Sequence, residues 1–207
     1  GKISDIDPDD NPLSIQSENN LPDLTAQWRS SCDWGHVQLA DIVRSVGFET
    51  ANTANGNPSG EETGWGLNGS ASIAVTGRDK LHLQLAYGEG IASYINDGGS
   101  DLAPNDDLTG AELLPLLGAL AYYDHYWSEK WSSSIGYSYT EVDNTNFQDA
   151  GAFNKGEYAS VNLLATPAKN IMVGGELLWG KRTNNDGSSG DAVRFQFTVK
   201  YNFGSVL

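Results

Sequence analysis

The stretch Val193-Arg194-Phe195-Gln196-Phe197-Thr198-Val199-Lys200-Tyr201-Asn202-Phe203 puts an apolar residue at every odd position and a polar one at every even position. Successive side chains of a β-strand point to opposite faces, so this is a strand with one apolar and one polar face. The pattern recurs upstream. Trp65, Leu67, Ala71, Ile73 and Val75 alternate with Asn68, Ser70 and Ser72, and Leu81, Leu83, Leu85 and Tyr87 with Lys80, His82 and Gln84. Trp131, Ile135, Tyr137 and Tyr139 alternate with Ser132, Ser134, Ser138 and Thr140, and Val161, Leu163 and Ala165 with Ser160 and Asn162. Ile171, Val173, Leu177 and Trp179 alternate with Gly174, Glu176 and Gly180. Three segments are noisier. Leu24–Cys32 alternates well, 36–48 carries Asp41 on its apolar parity, and 116–127 is apolar on both faces, so its sides are unassigned. The sequence predicts nine strands and no helix.

The gaps between these strands are 33–35, 49–63, 76–79, 88–115, 128–130, 143–154, 167–170 and 183–190, alternately short and long. An antiparallel meander with this spacing has its tight turns at one end and its long loops, rich in Gly, Asn and Asp, at the other. Transmembrane β-barrels have that asymmetry, with short periplasmic turns and long extracellular loops. A soluble barrel or sandwich also alternates, but its polar face is the outer one and carries many Lys and Glu. Here the polar faces are mostly Ser, Thr, Asn, Gln and Gly. Trp28, Trp34, Trp65, Tyr126, Trp127, Trp131, Trp179 and Tyr201 crowd the strand ends, as interfacial girdles do. The reading is therefore an all-β, antiparallel transmembrane barrel, against the alternative of a soluble or cell-surface β-rich binding module.

Composition narrows the function. The 207 residues include 27 acidic and 12 basic side chains, a net charge of −15, which excludes an electrostatic nucleic-acid binder. The single cysteine, Cys32, excludes an internal disulfide framework. No apolar run reaches the roughly 18 residues of a membrane-spanning helix. No signal peptide opens the chain at Gly1, as in a processed chain or a fragment. Nine strands cannot close a purely antiparallel barrel, and an open edge in lipid lacks hydrogen-bond partners. The expectation is the C-terminal part of a larger barrel: 1–23 the remnant of an extracellular loop, 24–203 barrel strands, and 204–207 a tail.

Apparent motifs have plainer explanations. Gly64-Trp65-Gly66-Leu67-Asn68-Gly69 matches a dinucleotide fingerprint, but a strand follows it where a helix is needed. Asp5, Asp7, Asp9 and Asp10 resemble a calcium loop, with Asp10 in place of its Gly and Gln16 in place of its bidentate Glu. His36, His82 and His125 sit on different strands without ligand spacing. Ser70 or Ser72 with His82 carries no hydrolase signature. The sequence points to no enzyme, no cofactor and no metal.

The basic residues say more. Arg29, Arg44, Lys80, Arg182, Arg194 and Lys200 share the polar parity with Glu176 alone among acids. In a barrel that face lines the lumen. Most acids lie in the long gaps, among them Glu61, Glu62, Asp97, Asp101, Asp106, Asp107, Glu112, Asp143, Asp149 and Asp186, where salt screens them beyond about 8 Å. Charges in a narrow lumen are screened less. The expectation is a wall favouring small anionic solutes, with the guanidinium forks suited to carboxylates.

Leu21-Pro22-Asp23-Leu24-Thr25-Ala26-Gln27-Trp28-Arg29, then Asp33-Trp34-Gly35-His36-Val37-Gln38-Leu39-Ala40, resemble the DcaP-like outer-membrane porins. So do Gly64-Trp65-Gly66-Leu67-Asn68, Tyr87-Gly88-Glu89-Gly90-Ile91, His125-Tyr126-Trp127-Ser128-Glu129-Lys130-Trp131 and the closing Lys200-Tyr201-Asn202-Phe203. The resemblance implies a sixteen-stranded barrel, of which this chain supplies the last nine strands. It implies a homotrimer in the bacterial outer membrane, among lipid and lipopolysaccharide, and passive uptake of small anionic or aromatic acids. The chain departs from it at the end, where Gly204-Ser205-Val206-Leu207 follows the expected terminal aromatic.

Overall fold

The computed structural model describes residues 14–18, 21–51, 59–96, 98–105 and 110–203. The candidate acidic loop Asp5 to Asp10, the loop acids Asp97, Asp106 and Asp107, and the tail 204–207 lie outside these residues, as does the Gln16 side chain.

The long strands follow the period-two segments. They are β2 (Leu24–Cys32), β3 (Gly35–Ala51), β4 (Ser59–Ala74), β5 (Lys80–Glu89), β8 (Pro115–Tyr126), β9 (Trp131–Val142), β10 (Phe153–Ala168), β11 (Ile171–Asn184) and β12 (Ser189–Tyr201). Each pairs antiparallel with its neighbour in the chain, giving one meandering sheet. Among the described residues the sheet is open, with β2 at one edge and β12 at the other. Ser14–Glu18, inside the stretch read as a loop, forms a short strand β1 that also pairs with β3. Glu18 lies opposite Gly47 and Leu24 opposite Val43, so β1 and β2 are two pieces of one edge strand interrupted by residues 19–23.

The strands run further than their periodicity predicts. The last gap, read as 183–190, shrinks because Thr183 pairs with Ser189. Only a tight hairpin remains. Asp186 Oδ1 there accepts from the Ser188 amide at 2.8 Å and its hydroxyl at 2.5 Å. The gap 88–115 holds a second, two-stranded sheet of β6 (Leu102–Pro104) and β7 (Ala111–Leu113).

Register sorts the side chains. One face carries Val193, Phe195, Phe197, Val199 and Tyr201, then Leu177, Val161, Ile135, Leu85, Leu67 and Leu39. These side chains are exposed, Phe195 by 71%. Holding a large apolar side chain in water forfeits about 1.5–3 kcal/mol, so a face built of them belongs in an apolar medium. The opposite, inner face carries Gln38, Ser70, Gln84, Ser138, Asn162, Gln196 and Thr198.

One detail differs from the sequence reading. Tyr126 pairs with Ser132 on the inner face and stands outside the apolar girdle, its ring 4.3 Å from the Arg78 guanidinium. Asp41 falls on the apolar parity of its strand, where a carboxylate is costly against lipid unless a bulge turns it inward or a neighbouring subunit covers it. The register from Ala26 through Asp41 to Leu67 is unbroken, so no bulge turns it inward. Asp41 sits on the apolar face.

At the short-turn end, outer-face side chains and one carboxylate hold the margin together. Asp79 accepts from the Tyr123 hydroxyl at 2.7 Å, the Tyr126 amide at 2.9 Å and His125 Nδ1 at 2.7 Å. The Trp127 ring meets His125 edge-on at 4.2 Å. These donors, the Tyr123 hydroxyl foremost, lower the Asp79 carboxyl to about 2. A depressed folded value adds stability that is complete above the ordinary carboxylate range near 4 and is lost as pH falls through 2. Asp79→Asn is therefore expected to lower the unfolding temperature at pH 7, the gap to wild type closing as pH approaches 2. Thermal melts across that range in detergent check it.

Candidate functional site

The inner face is the candidate site. Register brings all seven sequence-predicted residues onto it. Arg29 lies opposite Gln38, Arg44 opposite Gly64, and Lys80 opposite Ala74 and Asp124. Glu176 lies between Asn162 and Gln196, Arg182 between Gly156 and Gly190, Arg194 opposite Leu178 and Lys200 opposite Met172. They do not form one ring. Arg182 stands at the long-loop end and Arg194 near mid-strand. Arg29 is lower, and Lys80 and Lys200 flank the short turns. The arrangement is a ladder along the strands.

Arg29, Lys80, Arg182, Arg194 and Lys200 are exposed on that face. Arg182 is oriented: its Nη2 donates to the Gly151 carbonyl and its Nε to Asn184 Oδ1, each at 2.8 Å. The sequence reading missed two acids on this face. Glu62 pairs with Val46, and Asp124 lies between Lys80 and Ser134. His82 Nε2 lies 3.1 Å from Asp124 Oδ2, and the Ser134 hydroxyl donates to Asp124 Oδ1 at 2.5 Å. Five exposed bases thus face Glu62, Asp124 and Glu176, a smaller positive excess than the sequence count.

Arg44 has a different role from the one expected. It is 7% exposed and belongs to no open wall. The described residues between Gly90 and Leu114 fold over it, lying on the inner face at the long-loop end. Ile91, Ala92, Ala103 and Leu114 pack with Leu116 of β8 and Val142 of β9, flanked by Ile42 and Phe153. Leu102 and Ala111 pack with Val46 and Phe48 of β3. Glycines make room beneath. A Cβ on Gly66 would stand 2.9 Å from Ile91 Cγ2, and one on Gly64 would stand 3.1 Å from Arg44 Cγ. That explains the Gly64-Trp65-Gly66 motif: small inner-face positions where a loop is seated. Gly66→Leu is expected to push Ile91 off the wall while leaving the strands paired, and faster protease cleavage within 90–114 in detergent-solubilised protein checks it.

Arg44 is ringed by partners. Its Nε lies 3.3 Å from Asp23 Oδ2 and its Nη1 3.5 Å from Asp101 Oδ2. Nη1 also donates to the Gly90 carbonyl at 3.0 Å and the Ser93 hydroxyl at 2.7 Å. The Tyr94 ring lies 5.2 Å from the guanidinium, and its hydroxyl donates to Asp23, which raises the phenol above its usual value. The Ser93 amide donates to Asp101 Oδ1 at 2.9 Å. Sequence parity found Arg44's face but not its cover. The available signal was the polar face of 36–48 turning apolar at Ile42, Val46 and Phe48.

The inner wall thus carries bases, amides and a seated loop, and the outer face is apolar. No protein-family model matches the chain, and no curated protein matches it. Among solved structures, the crystal structure of the outer membrane channel DcaP of Acinetobacter baumannii is similar, with a TM-score of 0.82 and 24% identity over 92% of this chain. The chain spans 54% of that protein's length. It thus has the fold of about half of an outer-membrane channel barrel.

Proposed function

We propose that this chain is the C-terminal part of a porin in the bacterial outer membrane, through which small solutes diffuse passively. The observation that carries the reading is the two-sided sheet: exposed apolar side chains on one face, and bases, amides and hydroxyls with a seated loop on the other. The open edges at β2 and β12 would be costly in lipid, so further strands close the barrel. The apolar outer face argues against a soluble binding module.

The permeant class is small anions, organic acids among them. Arg29, Lys80, Arg182, Arg194 and Lys200 support it, spaced along the strands so that a carboxylate passes from one to the next. The protein is no enzyme in this reading: the His82–Asp124 pair belongs to the wall. Asp41 supports a homotrimer, because a carboxylate halfway up an apolar face is costly against lipid and is better placed against a neighbouring subunit. The remaining perimeter contacts lipid and lipopolysaccharide.

Recordings of the full-length protein in planar bilayers under a salt gradient test the reading. Discrete conductance steps with an anion-selective reversal potential are expected. No steps would end the channel reading, and cation selectivity would end the anionic one.

A further inference from the structure

We propose that Arg44 is a positioning residue that latches the inward loop to the wall and so sets the size limit of the pore. The inference rests on the channel reading. Three chain segments meet at this side chain: residue 23 from the interrupted edge strand, β3 itself, and the loop through Gly90, Ser93 and Asp101. Apolar packing from Ile91, Leu102 and Leu114 attracts the loop to the wall, but such packing is non-directional and tolerates sliding. The guanidinium has fixed donor directions, and its Nη1 spends them on a carbonyl, a hydroxyl and, at 3.5 Å, the Asp101 carboxylate of the loop, while Asp23 of the edge strand faces Nε as an ion partner.

Burial strengthens the argument. Asp101 is 0% exposed and Arg44 7%, so each charge relies on local partners rather than water. Slackening the loop would strand both, which makes the seated position the favoured one. A guanidinium so enclosed is not offered to passing solutes. Arg44 and Arg194 share a face and a charge, yet they act on different properties: Arg44 on how wide the pore is, Arg194 on which ion it prefers.

The test compares Arg44→Lys, Asp101→Asn and Arg194→Ala in the full-length protein. Arg44→Lys keeps the charge but loses the fork. Asp101→Asn loosens the latch from the loop's side and leaves every barrel strand unaltered, so it remains informative should Arg44→Lys assemble poorly. Single-channel conductance, the exclusion limit for neutral polyethylene glycols and the reversal potential are measured on each. The two latch variants are expected to show higher, noisier conductance and to admit larger polymers, with the reversal potential unchanged. Arg194→Ala is expected to shift the reversal potential at an unchanged exclusion limit. Latch variants that keep the wild-type limit and shift only the reversal potential would overturn the proposal. Wild-type protein that forms no channel would instead defeat the reading beneath it.

Discussion

Phe197→Arg is expected to stop the protein from assembling in membranes. Phe197 lies at the centre of the exposed apolar run from Val193 to Tyr201, opposite Gly175. An arginine near the bilayer midplane on a lipid-facing strand costs about 2–4 kcal/mol, on top of the lost Phe burial. Stabilities of about 5–15 kcal/mol leave little room for that. The check is the yield of folded, heat-modifiable protein after insertion into lipid vesicles. The reverse substitution at the neighbouring parity, Thr198→Phe, should assemble far better, because the inner face lies outside the hydrocarbon. In a soluble module Phe197, already exposed, would tolerate Arg within about 0.5 kcal/mol.

Arg29→Ala with Arg194→Ala is expected to weaken anion preference. One unit charge about 4 Å from a passing ion in water is worth about 1 kcal/mol. On that scale each charge changes local ion occupancy about fivefold, so removing both lowers the anion-to-cation permeability ratio several-fold. The effect should shrink as salt rises, since the screening length contracts. Reversal potentials at low and high ionic strength check both statements. A permeability ratio equal to wild type at low salt would remove these two residues from the pathway.

The strands were legible wherever each had one wet and one apolar face. Val193 to Phe203 is the clearest because both its faces are uncovered. The segment 116–127 was illegible for the opposite reason. Leu116, 1% exposed, points inward, yet it is apolar because Leu114 and Ala103 cover it. The period-two contrast fails wherever a loop turns an inner face into a core. The same cover hid the role of Arg44, while Asp124, clear of it near the short turns, went unassigned because Leu120 and Tyr122 put large apolar side chains on the same inner face. Charge parity alone finds which side a base is on. It does not find what lies on top of it. Asp41 shows the limit from the other side: its parity was read correctly, and β3 pairs without a register shift on both edges, so no bulge moves it off the apolar face.

The most direct test is thiol accessibility along positions 193–199 in native outer membranes. Cys32, the single cysteine, is exposed and is first replaced by Ser. Single cysteines are then placed at Val193, Arg194, Phe195, Gln196, Phe197, Thr198 and Val199. Each is treated with a charged, water-soluble thiosulfonate or with a lipid-soluble maleimide. The account predicts strict alternation: positions 194, 196 and 198 react with the water-soluble reagent, and 193, 195, 197 and 199 only with the lipid-soluble one. Water-soluble labelling of Phe195 and Phe197 positions at rates equal to those of 194 and 196 would show that the apolar face does not meet lipid, and would contradict the account.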